Sequence, residues 1–104
     1  MRYDVVFAPE AIEDLRSLNA NDRADVVASI ERHLHHEPTK TSKSRIKRLR
    51  GLSRPQYRLR VNDDLRVFYD VTEIAVEVLA VIAKSEANNW LERHGESDEA
   101  STIE

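Results

Sequence analysis

Arg58 and Arg60 lie in the run QYRLRV, and Arg66 lies in LRVFYDV, separated from it by Asn62–Asp64. Both runs are rich in β-branched and aromatic residues, as strands are, and side chains alternate across a strand. Tyr57, Leu59 and Val61 therefore share one face and Arg58 and Arg60 the other. In the second run Leu65, Val67, Tyr69 and Val71 oppose Arg66, Phe68 and Asp70. If the apolar face packs on helices, three guanidiniums gather on the open face of neighbouring strands. Like charges that close repel, and a guanidinium on a half-buried sheet is costly without an anion. Two readings follow. In one, Asp70 or Glu77 pairs locally with the arginines on a solvated face. In the other, the arginines form a concavity for phosphate, which suits the bidentate fork, and the anion is a nucleic-acid backbone.

Other residues offer less chemistry. His33, His35 and His36 invite a metal reading, and His33 with His36 could share a helix face. No acidic or thiol ligand set accompanies them, and histidines are common near helix ends. An imidazole at His94 could move a proton near neutral pH, although an exposed place in a fraying helix is the plainer reading. The chain has no cysteine, which excludes disulfides and thiolate zinc sites. Neither a metal nor another cofactor is expected.

The elements that must position these arginines can be read from pattern. The 104 residues suffice for one domain, and 40% hydrophobic against 34% charged residues describes a globular chain. No apolar run approaches the roughly 20 residues needed to cross a bilayer, and MRYDVVFAPEA lacks a signal-like stretch. A cytoplasmic protein with no membrane partner is expected. The net charge of −3 conceals a segregation: from Lys40 to Arg66 ten basic residues face two acidic ones, a local +8 that leaves −11 on the remainder. An acidic protein can thus still present a field suited to nucleic acid. Pairing of the basic segment with acidic helices of the same molecule is the alternative.

Arg2–Phe7 reads as a strand, and Pro9 as the first residue of a helix carrying Ala11, Ile12, Leu15 and Leu18 inward. Asn19–Asp22 is a turn in which Asn21 or Asp22 can cap a second helix. That helix turns Val26, Val27, Ile30 and Leu34 inward and stops before Pro38. Ile46 and Leu49 could anchor a short turn or edge strand. Strands are then expected over Gln56–Val61, Leu65–Val71 and Ile74–Ala83, the last nearly continuous in apolar residues like a strand covered on both faces. A short helix capped by Ser85 follows. The order β-α-α-β-β-β-α predicts an α+β fold, an antiparallel-rich sheet with the N-terminal helical hairpin packed on one face. The expected core includes Val5, Phe7, Ile12, Leu15, Val27, Ile30, Leu59, Val67, Val78 and Ile82. Residues 1–94 form the domain, and 95–104 an acidic, disordered tail.

The segments YDVVFAPEAIEDLRSL, RLRG, YRLRVNDDLRVFYDV and VEVLAVIAK together resemble the RelE/ParE superfamily of bacterial toxin–antitoxin toxins. The resemblance runs from Tyr3 to about Trp90, with Leu49–Val71 its specific part. It implies a compact RelE-like toxin neutralised by a small cognate antitoxin, in a complex that binds operator DNA through the antitoxin. In the RelE branch it implies entry into the ribosomal A site and metal-independent cleavage of mRNA. There the ribose 2′-OH is the nucleophile, leaving a 2′,3′-cyclic phosphate and a 5′-OH. Such a reaction needs a base near the 2′-OH, cations on the developing charge and a donor for the leaving oxygen. On the RelE pattern Arg58 and Arg60 fall on an alternating basic pair, and Arg66 on the arginine of the next strand. Lys84 falls on the basic position after the last strand, and Trp90 on a tyrosine. Arg60, Arg66 and Lys84 are then the candidate catalytic residues, and Lys47, Arg48, Arg50, Arg58 and Trp90 the candidate RNA contacts.

Two positions depart from that pattern. Arg60 stays protonated and is a poor general base. Trp90 can stack on a base but cannot relay a proton, and capping the sheet from a C-terminal helix is its other reading. Cleavage would lean on electrostatic stabilisation and positioning. The missing tyrosine keeps open a ParE-like poison that binds DNA gyrase and cuts nothing. A toxin without activity, serving only as the antitoxin-bound half of a repressor complex, is a third reading. The antitoxin is expected to bind as an extended segment carrying apolar and acidic side chains.

Overall fold

The computed structural model of the chain describes residues 2–97. In chain order its elements are β1 (Asp4–Phe7), α1 (Pro9–Arg16), α2 (Ala20–His33), β2 (Ile46–Arg48), β3 (Leu52–Arg54), β4 (Tyr57–Arg60), β5 (Leu65–Val71), β6 (Ala75–Ala83), a 3₁₀ turn (Lys84–Glu86), α3 (Ala87–His94) and β7 (Glu96–Ser97). Five strands form one sheet in the order β1-β6-β5-β4-β2, with β1 parallel to β6 and the other pairs antiparallel. The α+β architecture expected from pattern is the one observed. Among the described residues no helix is long and apolar enough to cross a membrane.

The helical hairpin is built from local signals. Pro9 opens α1, where its fixed φ fits and no helical N–H is lost. Asn19, rather than Asn21 or Asp22, caps α2: its side chain accepts the Asp22 N–H at 2.8 Å. The extended backbone at Asn19 already meets the cap requirement, so the helix starts at once. Arg23 then donates to the carbonyls of Leu15, Arg16 and Leu18 at 3.2, 3.3 and 2.7 Å, near the end of α1 where carbonyls lack helical partners.

Ala11, Val26, Ile30 and Leu34 pack with Leu59, Val67, Tyr69, Val76 and Val78 in one core. Of the expected core, Ile30, Leu59, Val67 and Val78 are buried, and Val5, Phe7 and Leu15 are half-buried against it. Ile12 and Val27 instead remain 39% and 48% exposed. In each case the adjacent residue, Ala11 or Val26, takes the inward position, because one step along a helix turns a side chain by about 100°. Ile82 is half-buried outside this core. A bulge explains its phase: Phe68 pairs with Ala80 but Tyr69 with Val78, leaving Leu79 as the extra residue of β6.

The opposite face of the sheet is partly covered by α3. Trp90 stacks on Phe68, with ring centroids 5.1 Å apart and planes within 5°. Ser85 sits inside the 3₁₀ turn and gives no cap to α3. Glycine is required where the chain leaves α3, since a Cβ on Gly95 would lie 2.6 Å from the Leu91 carbonyl oxygen. β7 then pairs antiparallel with β3, so regular structure continues past the boundary expected at residue 94. Residues 98–104 of the expected tail lie outside the described residues.

Candidate nucleic-acid interface

Strand register decides which cations meet. Lys47 lies opposite Arg58, Arg58 opposite Phe68, and Arg60 opposite Arg66. Leu59 and Val67 point into the core with α2, so these four cations share the face turned away from α1 and α2. Lys84, Ala87, Asn88 and Leu91 follow at i, i+3, i+4 and i+7, the spacing of one helix face. With Leu49 above and Arg58, Arg66 and Phe68 below, they enclose a cleft of ≈ 280 Å³.

The nearby acids do not answer the cleft's arginines. Asp70 accepts from the Arg54 guanidinium at 3.0 Å and from the Gln56 N–H at 2.7 Å, and Glu77 lies 3.5 Å from the same guanidinium. Arg60 pairs with Asp63 in the β4–β5 turn and is not a lining residue of the cleft. Arg66 is only 7% exposed; its Nη1 donates to the carbonyls of Asn62 at 2.7 Å and Leu65 at 3.0 Å. Asn62 Oδ1 fixes that turn by accepting the N–H groups of Asp64 and Leu65. The Nε of Arg58 is buried with no hydrogen-bond partner among the described residues. Burial, and then Arg60, pushes the Arg58 pKa below the usual arginine value. Burial, then Arg58 and Arg60, does the same to Arg66, against the pull of Asp63 and Asp64. Both guanidiniums are held against desolvation and against one another.

The remaining candidates divide. Arg48 lies opposite Tyr57, on the helix side of β2; it donates to the Gln56 carbonyl at 2.7 Å and sits 5.3 Å from the Tyr57 ring centroid. Of Lys47, Arg48 and Arg50, Lys47 alone occupies the arginine face of β2, while Arg50 is exposed in the turn before Gly51. Trp90 lines a different cleft, with His94 at 5.2 Å between ring centroids and Glu10, Asp14 and Arg54 nearby. Asn88 and Leu91 take the place beside Lys84 that the resemblance to RelE gives to Trp90. Their spacing from Lys84 is the signal that could have found them. His35 donates from Nδ1 to the Tyr3 carbonyl at 3.0 Å. Among the described residues no group of three or more His, Asp or Glu is arranged to hold a metal.

Asp14, in the second cleft, accepts the Val81 N–H at 3.0 Å, beyond the reach of β1 along β6. Burial raises its pKa above the ordinary 3.8, the hydrogen bond opposes this, and Glu10 adds to it. An acid whose folded pKa is raised contributes stability below its unfolded pKa and loses it as pH rises through the folded one. Asp14→Asn keeps an acceptor for Val81. It is expected to raise the urea midpoint at pH 7 and to leave it unchanged near pH 3.

The family model for the ParE toxin of type II toxin–antitoxin system, parDE, matches residues 5–88. The chain belongs to this family. The toxin is similar in structure to a chain of the archaeal RelE–RelB complex from Pyrococcus horikoshii OT3, at 24% identity and a TM-score of 0.64, covering 81% of this chain and 97% of that one. It is similar to a chain of the toxin–antitoxin complex RelBE2 from Mycobacterium tuberculosis, at 25% identity and a TM-score of 0.63, over 82% of this chain and 94% of that one. A chain of the E. coli DinJ–YafQ toxin–antitoxin complex shares the fold at 12% identity, with a TM-score of 0.62 and coverage of 82% and 96%. No curated protein matches the toxin's sequence. The membership and these folds make it a RelE/ParE superfamily toxin of a type II system.

Proposed function

We propose that this toxin cuts mRNA on the ribosome, using the cleft of Arg58, Arg66 and Lys84, and that a cognate antitoxin holds it inactive. The observation that carries the reading is the buried Nε of Arg58, unpartnered among the described residues, in a cleft that these residues line with three cations and no carboxylate. Such a site is built for an anion with several acceptor oxygens, as a phosphodiester is. In cleavage the 2′-oxygen forms a bond to phosphorus as the bond to the 5′-oxygen breaks; one proton leaves the 2′-OH and another reaches the 5′-oxygen. Arg66, fixed by the turn carbonyls, is preorganised to hold the charge that develops on the non-bridging oxygens. Lys84, an ammonium lining the cleft, is placed to donate a proton to the departing 5′-oxygen, while the proton of the 2′-OH passes to solvent water. Arg60 adds charge on the same face once an RNA phosphate displaces Asp63. The solved relatives in complex with antitoxins support such a partner here. The +8 segment is the electrostatic target for its acidic residues, and the complex binds operator DNA through the antitoxin.

A specific observation favours a second reading. Among the described residues no imidazole, carboxylate or phenol lines the cleft, and the matching family is that of ParE, which fits a gyrase-binding poison that cuts nothing. Purified toxin on programmed ribosomes, with mapping of mRNA 5′ ends beside a gyrase supercoiling assay, decides between them. New 5′-OH ends support cleavage; intact mRNA with lost supercoiling supports the poison. Arg58→Ala is expected to weaken RNA binding most at low salt and to reduce the slope of log affinity against log salt by about 1, as the loss of one phosphate contact does.

A further inference from the structure

The basic cleft has a second chemical character. Beside its cations stand the apolar side chains of Leu49, Ala87 and Leu91, and among them one neutral hydrogen-bonding group, the carboxamide of Asn88. Asn88 lies in the first turn of α3, four residues beyond Lys84, and amine and carboxamide line the same cleft. The carboxamides of Asn19 and Asn62 are engaged, one capping α2 and the other bonded to Asp64, Leu65 and Asp25. Asn88 makes no such bond with the described residues.

A cleft of ≈ 280 Å³ is close to the lower limit for small-molecule sites, about 300 Å³, and suits one nucleotide better than a longer ligand. Its two characters match the two halves of that ligand: phosphate toward Arg58 and Arg66, base between the leucines. A carboxamide offers one acceptor and one donor side by side. On the edge that carries N7, adenine presents the complementary N6 donor and N7 acceptor, while guanine presents two acceptors. The corresponding edges of cytosine and uracil offer one polar contact each. We propose that Asn88 reads the base of the bound nucleotide and gives the cleft a preference for adenine. This rests on the cleft being an RNA phosphate site and adds its base selectivity.

Titration of the whole chain with each of the four nucleoside 3′-monophosphates tests the assignment, read by NMR at Arg58 Nε–H and the Asn88 carboxamide. The wild type is expected to bind the adenosine nucleotide about 5-fold tighter than the others, near the lower end of what a bidentate amide–base pair discriminates. Asn88→Ala, which favours the helix, should bring that ratio close to one. Asn88→Asp, an acceptor only, should move the preference toward cytidine, whose N4 amine donates. Equal affinities in the wild type, or an adenine preference that survives in Asn88→Ala, would overturn the role of Asn88. Arg58→Ala should weaken all four together, which checks the phosphate half independently. If the wild type binds none of the four, the phosphate reading of the cleft falls, and the base preference with it.

Discussion

Arg66→Ala is expected to slow mRNA cleavage on programmed ribosomes by about 10²-fold or more, the scale of losing one preorganised charge-stabilising donor. Arg66 is the cleft arginine with the least freedom, because Asn62 and Leu65 fix its Nη1 from behind. Its remaining N–H groups are therefore aimed before substrate arrives, and no side-chain ordering is left to oppose the transition state. Lysine at this position keeps the charge but loses the fork, so Arg66→Lys should recover only part of the rate. Thermal unfolding of both variants separates a lost donor from a lost turn. A folded Arg66→Ala toxin that still cleaves within tenfold of wild type would remove Arg66 from the mechanism. Loss of growth inhibition in cells, with no cleavage by the wild type in vitro, would point to gyrase instead.

Phe68→Ala should cost about 3–5 kcal/mol of stability, the range for deleting a fully buried aromatic ring. Phe68 is 0% exposed, floors the cleft beside Arg58 and Arg66, and carries Trp90 on its ring. A domain of this size has about 5–15 kcal/mol in hand, so the change takes a large share of it. Trp90 is the chain's one tryptophan, and its emission reports this spot alone. A urea titration followed at that emission should show a lowered midpoint and a red-shifted native baseline. Trp90→Phe keeps a ring on Phe68 and should cost far less. If Phe68→Ala unfolds at the wild-type midpoint, α3 does not hold its place through this stack.

Alternation made the arginine face legible, because a period of two leaves no choice once Leu59 and Val67 are known to face inward. Helix phase was harder to read. Ala11 beside Ile12, and Val26 beside Val27, offer two apolar residues about 100° apart, and only the packing of the partner sheet selects one. The bulge at Leu79 left no mark in VLAVIA, where every residue is apolar and a phase change is silent. Arg48 could not be told from Lys47 because β2 is three residues long and its register is set by β4. Nor could the sequence show that Arg54, outside the strand pattern, would take Asp70 and Glu77 away from the sheet arginines. Asn88 was within reach, since it follows Lys84 by four residues, but the RelE pattern has its tyrosine at the position of Trp90 and offers nothing at Asn88.

The short ribbon of β3 and β7 makes α3 a span fixed at both ends. Its start is tied where the Lys84 N–H donates to the Asp64 carbonyl at 2.7 Å, and its end where β7 pairs with β3. α3 buries no residue completely, so this span belongs to the low-stability part of the molecule and opens without unfolding the sheet. Its backbone amides should exchange with solvent deuterium well before those of β5 and β6. A nucleotide in the cleft, touching both the sheet and α3, would bind the closed span alone and slow that exchange, leaving the β5 and β6 amides to follow global unfolding.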